Sequence, residues 1–180
     1  LDATTKSIHL GGNLQVTLTD TVGFIQDLPT ELVSSFKSTL EESKHVDLLV
    51  HVIDASNPYH EEHEKTVLSI MKDLDMEDIP RLTLYNKADL VEDFTPTQTP
   101  YSLISAKSED SRENLQALFL EKSKEIFERF TLRVSFSKSY KIHDLESVAI
   151  LEEPDYQEDG EVITGYISEK NKWRLEEFYD

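Results

Sequence analysis

The spacing of apolar residues changes several times along this chain, and each change marks an element. Thr5 to Leu10 and Leu14 to Asp20 flank Gly11-Gly12-Asn13, and the second run alternates Leu14, Val16 and Leu18 with Gln15, Thr17 and Thr19. Period-two alternation around a glycine turn predicts a β-hairpin. From Pro29 to Lys44 the apolar residues Leu32, Val33, Phe36 and Leu40 recur at helical spacing, and Val46 to Ile53 is then almost continuously apolar and rich in β-branched residues. That pair reads as a helix followed by a strand covered on both faces. A helix from about Tyr59 to Leu74, with Val67, Ile70, Met71 and Leu74 inward, precedes strands Arg81 to Tyr85 and Tyr101 to Ile104 and a helix Ser111 to Phe130. Strands alternating with helices predict an open α/β sheet, which takes its ligand at the carboxyl ends of the strands.

After Phe130 the pattern shifts to short elements: strand Thr131 to Phe136, a helical piece Tyr140 to Glu146, strand Ser147 to Leu151, a turn at Asp159-Gly160, strand Glu161 to Ile167 and a helix near Asn171 to Phe178. The expected organisation is an α/β domain over 1–130 and a small α+β domain over 131–180.

Composition narrows the function. There is no cysteine, so disulfides, thiolate metal sites and a cysteine nucleophile are excluded. No stretch approaches the length of a membrane span and the first residues carry no signal-like core, so a cytosolic protein is expected. The formal charge of −18 repels phosphate backbones at long range, and the 131–180 segment is itself acidic, with six Lys/Arg against twelve Asp/Glu. Direct nucleic-acid binding by this chain alone is disfavoured.

Three short motifs stand where such a sheet binds its ligand. Asp20-Thr21-Val22-Gly23 ends the second hairpin strand, Asn86-Lys87-Ala88-Asp89 ends a later strand, and Ser105-Ala106-Lys107 ends the last strand before a helix. Each is weak alone; the three in this order are specific. The Asp20 carboxylate can hold Mg²⁺ through water, and Gly23, lacking a Cβ, lets its N–H approach a terminal phosphate. Guanine presents acceptors on its O6 edge and donors at N1 and N2. Asp89 would accept from both donors, Asn86 would face the acceptor edge, and the Ala106 N–H would point to O6. Lys87 and Lys107 would lay their alkyl stems over the nucleotide. Asp54, at the end of its strand, is read as a cap or as a more distant partner of the magnesium.

The run Asp20-Thr21-Val22-Gly23-Phe24-Ile25, with Leu28-Pro29, Phe36-Lys37-Ser38-Thr39-Leu40-Glu41-Glu42 and His51-Val52-Ile53-Asp54-Ala55, resembles the HflX family of translation-associated GTPases. The likeness covers about Leu1 to Phe130; the tail, with Asp159-Gly160 and Trp173-Arg174-Leu175, is similar to that family's small C-terminal domain more loosely. The opening Leu1-Asp2-Ala3-Thr4-Thr5 resembles a family stretch that usually has Pro in place of Ala3. The resemblance implies a P-loop GTPase-like fold, GTP and GDP with Mg²⁺ as cofactors, and a GTP hydrolase that binds the large ribosomal subunit in ribosome splitting or rescue. Phe24 stands where Ras-like enzymes carry a water-orienting Gln, so no catalytic side chain is assigned; Gln26, two positions on, reads as a solvated loop residue.

No G-x-x-x-x-G-K-[ST] occurs in the chain, and Gly11-Gly12 is not followed by Lys-Ser or Lys-Thr. The chain therefore reads as an excerpt whose phosphate loop and first, central strand lie upstream, expected to bind GTP poorly by itself, with a monomer favoured. The alternative is a non-catalytic protein-interaction module derived from a degenerate or split G domain. His60-Glu61-Glu62-His63 lacks zincin spacing and is read as a helix start. His45 and His51 are read as satisfied core or rim histidines. Tyr140, Tyr156, Tyr166, Trp173 and Phe178 are read as the core of the small domain ahead of an RNA-stacking platform. Lys170, Lys172 and Arg174 are read as a solvated helix start ahead of a ribosome contact.

Overall fold

The computed structural model describes residues 4–20 and 45–179. The expected helix Pro29 to Lys44 and the expected site residues Thr21, Val22 and Gly23 lie outside the described residues, as do Phe24 and Gln26.

The chain forms two compact units, one of 1–5 with 19–113 and one of 6–18 with 114–180. The contacts thus group 6–18 and 114–130 with the tail, where the sequence alone divides the chain at Phe130.

The predicted hairpin is present as β1 (Thr4–His9) and β2 (Gln15–Asp20), which form their own two-stranded sheet. Its turn needs glycine: Gly11 and Gly12 sit at φ 52° and 56°, a region that costs residues with a Cβ.

In the first unit, β3 (Leu49–Asp54), β4 (Arg81–Asn86) and β5 (Ser102–Leu103) make a parallel sheet in that order. Helix α1 (His60–Asp73) buries Ile70 and Met71, which pack with Leu74 and Met76 under Leu49 and Val67. This is the crossover that a parallel pair requires. Strand β4 is the buried centre, with Leu82, Thr83, Leu84 and Tyr85 all inaccessible. Among the described residues β3 pairs only with β4, and Val52 in its middle stays 57% exposed.

His51 departs from expectation. It is largely buried, yet its Nδ1 has no hydrogen-bond partner, and desolvation, with the Arg81 charge, lowers its pKa to about 4. It is a histidine held neutral by burial, with one ring nitrogen left without a partner.

The second unit contains α2 (Ser111–Ile126), which crosses the division between units, then β6 (Glu128–Ser135), a 3₁₀ turn Phe136–Lys141, α3 (Ile142–Glu146), β7 (Ala149–Leu151), β8 (Asp155–Tyr156) and β9 (Gly160–Ile167). A 3₁₀ run Glu169–Phe178 closes the chain. The sequence placed the α2 to β6 transition at Phe130, whereas the helix ends at Ile126. Phe130, Leu132 and Val134 then alternate inward, so strand period takes over three residues early. Antiparallel β9 lies between β6 and β7, with β8 also pairing to it. The core joins Phe130, Leu132, Val134, Leu145, Ile163, Ile167, Leu175 and Phe178.

The tail aromatics are corrected by this core. Phe178 belongs to it, but Tyr140 is 73% exposed, Tyr156 and Trp173 are exposed, and Tyr166 is half-buried beneath the Lys124 ammonium. Aliphatic positions on β6 and β9 together with Phe130 and Phe178 fill the small interior, and the other large rings remain at its surface. Their basic neighbours are engaged: Lys172 pairs with Glu128 and Glu169, and the Arg174 guanidinium lies 5.0 Å from the Trp173 ring.

Candidate functional site

Strands β3 and β4 run in register with Asp54 opposite Asn86, so both deliver their last residue to the same edge of the sheet. The Ala55 N–H, donating to the Asn86 carbonyl at 2.9 Å, continues the ladder past the strand end. Lys87 then adopts the left-handed conformation, φ 63° and ψ 33°, and turns the chain into a 3₁₀ turn, Ala88–Leu90. On the other side, the Ile104 N–H donates to the Tyr85 carbonyl at 2.9 Å and the Ala88 N–H to the Ile104 carbonyl at 3.0 Å. These bonds lay Asn86-Lys87-Ala88-Asp89 beside Ser105-Ala106-Lys107, two segments far apart in sequence.

Side chains complete the join. Asn86 Oδ1 accepts the Ala106 N–H at 3.0 Å, and the Ser111 hydroxyl donates to the Ala106 carbonyl at 3.3 Å. The Ser105 hydroxyl bonds to the Asp89 carboxylate and, with the Lys107 charge, holds that exposed acid below the usual aspartate range. The bond at Asn86 Oδ1 turns its NH₂ away from the Ala106 N–H, so the Asn86 amide can still donate while the Asp89 carboxylate accepts. A planar ligand with an acceptor edge and a donor edge fits that pair.

The Lys87 Nζ lies 2.5 Å from Asp54 Oδ2, and Asp54 Oδ1 accepts from the Ser56 N–H at 3.0 Å and the Ser56 hydroxyl at 2.6 Å. Burial alone would raise the Asp54 carboxyl; the hydrogen bonds from Lys87 and Ser56 outweigh it and hold the acid below its ordinary value. Asp54 therefore closes a local turn onto Ser56 rather than capping the following helix, whose N-cap is Tyr59 without a side-chain bond, and it anchors a lysine that the sequence reading did not connect to it.

Asp20 ends β2 with its side chain exposed. Among the described residues no three acidic or imidazole groups cluster as a metal cage. A lone carboxylate fits a magnesium ion that keeps most of its water and takes its remaining ligands from a bound phosphate.

A family model described as a 50S ribosome-binding GTPase matches residues 1–87. A protein named GTPase HflX from Caldanaerobacter subterraneus is 37% identical over 99% of this chain. This chain belongs to the HflX family. Another HflX GTPase, from Alkalihalophilus pseudofirmus, is 54% identical over 61% of the chain, and the Escherichia coli one is 42% identical over 53%. The chain spans 42%, 26% and 22% of the lengths of these three HflX relatives, in the order given. Two solved variants of a protein named SsGBP superpose with TM-scores of 0.55 and 0.54 at 24% identity, over 68% and 67% of this chain and 47% and 46% of theirs. The fold is that of a P-loop GTPase-like α/β domain, as the family resemblance implies.

The sequence reading of this HflX chain missed one buried group near the site. Glu64 is only 2% exposed and bonds to the hydroxyls of Tyr85 and Thr97. The signal was present: Glu64 falls on the helical face of Val67, Met71 and Leu74, an acid within an apolar stripe. Among the described residues, no helix is long and apolar enough to cross a membrane.

Proposed function

We propose that this chain is the switch and base-reading part of a Mg²⁺-dependent GTP hydrolase whose phosphate-binding loop is supplied by sequence upstream of Leu1. The observation that carries the reading is the joined pair of loops at the ends of β4 and β5. Asn86, fixed through its Oδ1 to the Ala106 N–H, and Asp89, held ionised, stand where they could read the two edges of guanine. The Ala106 N–H is already directed into the same corner, where guanine O6 could share it with Asn86 Oδ1. Lys87 and Lys107 would flank the base, with Ser105 holding Asp89. Asp20 would reach the metal through water, and Thr21, Val22 and Gly23 would contact the terminal phosphate. Bound magnesium would neutralise phosphate charge; the residues of this chain bind, orient and discriminate. The names of the relatives support GTP hydrolysis, and the description of the matching family supports association with the large ribosomal subunit.

Fluorescent GDP and ADP titrated with Mg²⁺ into this chain, and into a form extended upstream through the phosphate loop, test the proposal. Binding by the extended form alone, with GDP preferred, and its co-sedimentation with 50S subunits in the GTP state support it. Binding by neither form overturns it in favour of a protein-interaction module.

A further inference from the structure

A buried carboxylate without a cation among its recorded contacts is unusual, since desolvation must be offset by hydrogen bonds. Glu64 on α1 receives them from two hydroxyls: Tyr85 Oη lies 3.3 Å and 3.2 Å from its two oxygens, and Thr97 Oγ1 donates to one of them. Tyr85 Oη in turn accepts the backbone N–H groups of Thr97 and Gln98, both at 3.2 Å. Three elements meet here: the helix, the central strand and the connection from β4 to β5.

The network adjoins both base-reading loops. Tyr85 immediately precedes Asn86, its carbonyl accepts the Ile104 N–H, and Tyr101 packs edge-on against its ring at the start of β5. Whatever fixes Tyr85 and the 97–98 backbone therefore fixes the spacing between the strand carrying Asn86 and the loop after β5 that carries Ala106. An apolar side chain at position 64 would fill the space but leave the Tyr85 and Thr97 hydroxyls without their acceptor.

We infer that Glu64 is a positioning residue of the base-reading corner: through Tyr85 and Thr97 it holds the β4 to β5 connection so that Asn86 and Ala106 keep their mutual register. This rests on the guanine reading above and adds to it the residue that sets guanine selectivity from behind the site.

The test uses the full-length gene product with Glu64→Leu, Thr97→Val and the double substitution, each shown folded at the assay temperature by circular dichroism. Each single substitution is expected to raise the Kd for GDP about tenfold while the weak affinity for ADP is unchanged, because only base contacts are misplaced. The double variant should be no weaker than the weaker single, since both act through one network. A merely structural role would lower the melting temperature and leave the GDP to ADP ratio where it was; that ratio unchanged in either folded single variant overturns the inference. If the parent protein itself does not prefer GDP to ADP, the guanine reading fails first and this inference falls with it.

Discussion

Asn86 Oδ1 accepts the backbone N–H of Ala106 at 3.0 Å, so the end of β4 and the loop after β5 are bonded to each other. The bond also turns the NH₂ end of the Asn86 amide away from Ala106. Asn86→Asp keeps the acceptor for Ala106 but replaces the NH₂ donor with a carboxylate oxygen. The loops should stay joined while GDP affinity of the full-length protein falls about a hundredfold, as expected when a buried recognition bond turns repulsive. Asp89→Asn should instead move preference from GDP toward xanthosine diphosphate, because the amide reverses one donor–acceptor pair. Competition binding with the two nucleotides reads both outcomes, and an unchanged preference in Asp89→Asn would refute its assignment to the base.

Lys87 and Asp54 form a half-exposed pair, which limits what the pair contributes to stability to about 1 kcal/mol or less. Asp54 is held below its ordinary pKa of 3.8 in the fold, so its contribution is present above that value and disappears as pH falls through the lower folded pKa. Asp54→Asn retains an acceptor for Ser56 and loses the charge. Its urea midpoint should lie slightly below that of the parent at pH 6, and the difference should shrink toward pH 3.

His51 titrates in the opposite sense to a paired histidine. Its pKa falls from 6.5 to about 4 in the fold, so between those values the unfolded chain binds more protons and the folded state loses ground as pH drops. The linkage is on the order of 3 kcal/mol, fully present above pH 6.5 and lost toward pH 4. His51→Leu removes both the titration and the unpartnered Nδ1. Denaturation between pH 7 and pH 4 should show a shallower loss of stability in the variant; parallel curves would rule the explanation out.

Gly160 begins β9 opposite Ser135, where an added Cβ would lie 2.2 Å from the Val134 carbonyl oxygen. Backbone cannot step aside as a flexible side chain can. Gly160→Ala should destabilise the chain by about 2 kcal/mol or more, seen as a lower urea midpoint. Gly12, with nothing within 4 Å of its added Cβ, would suffer only from its positive φ and should cost less on the same substitution.

Period and punctuation made most of the strands and helices legible in the sequence. Leu14, Val16 and Leu18 around a glycine turn specified the hairpin, and Val67, Ile70, Met71 and Leu74 specified the buried face of α1, because these patterns are local consequences of strand and helix geometry. The candidate site residues were legible for a related reason: Asn86, Asp89, Ser105 and Ala106 fall at or just after strand ends, and strand ends are visible in one dimension. Pairings across the fold were not. That Lys87 reaches Asp54, that Glu64 is buried under two hydroxyls, that His51 Nδ1 lacks a partner and that Tyr140 and Trp173 stay outside the core depend on which faces meet and how much volume is left between them. Those are properties of packing, and residues separated by tens of positions acquire them only when parallel strands and their crossovers bring them to one place.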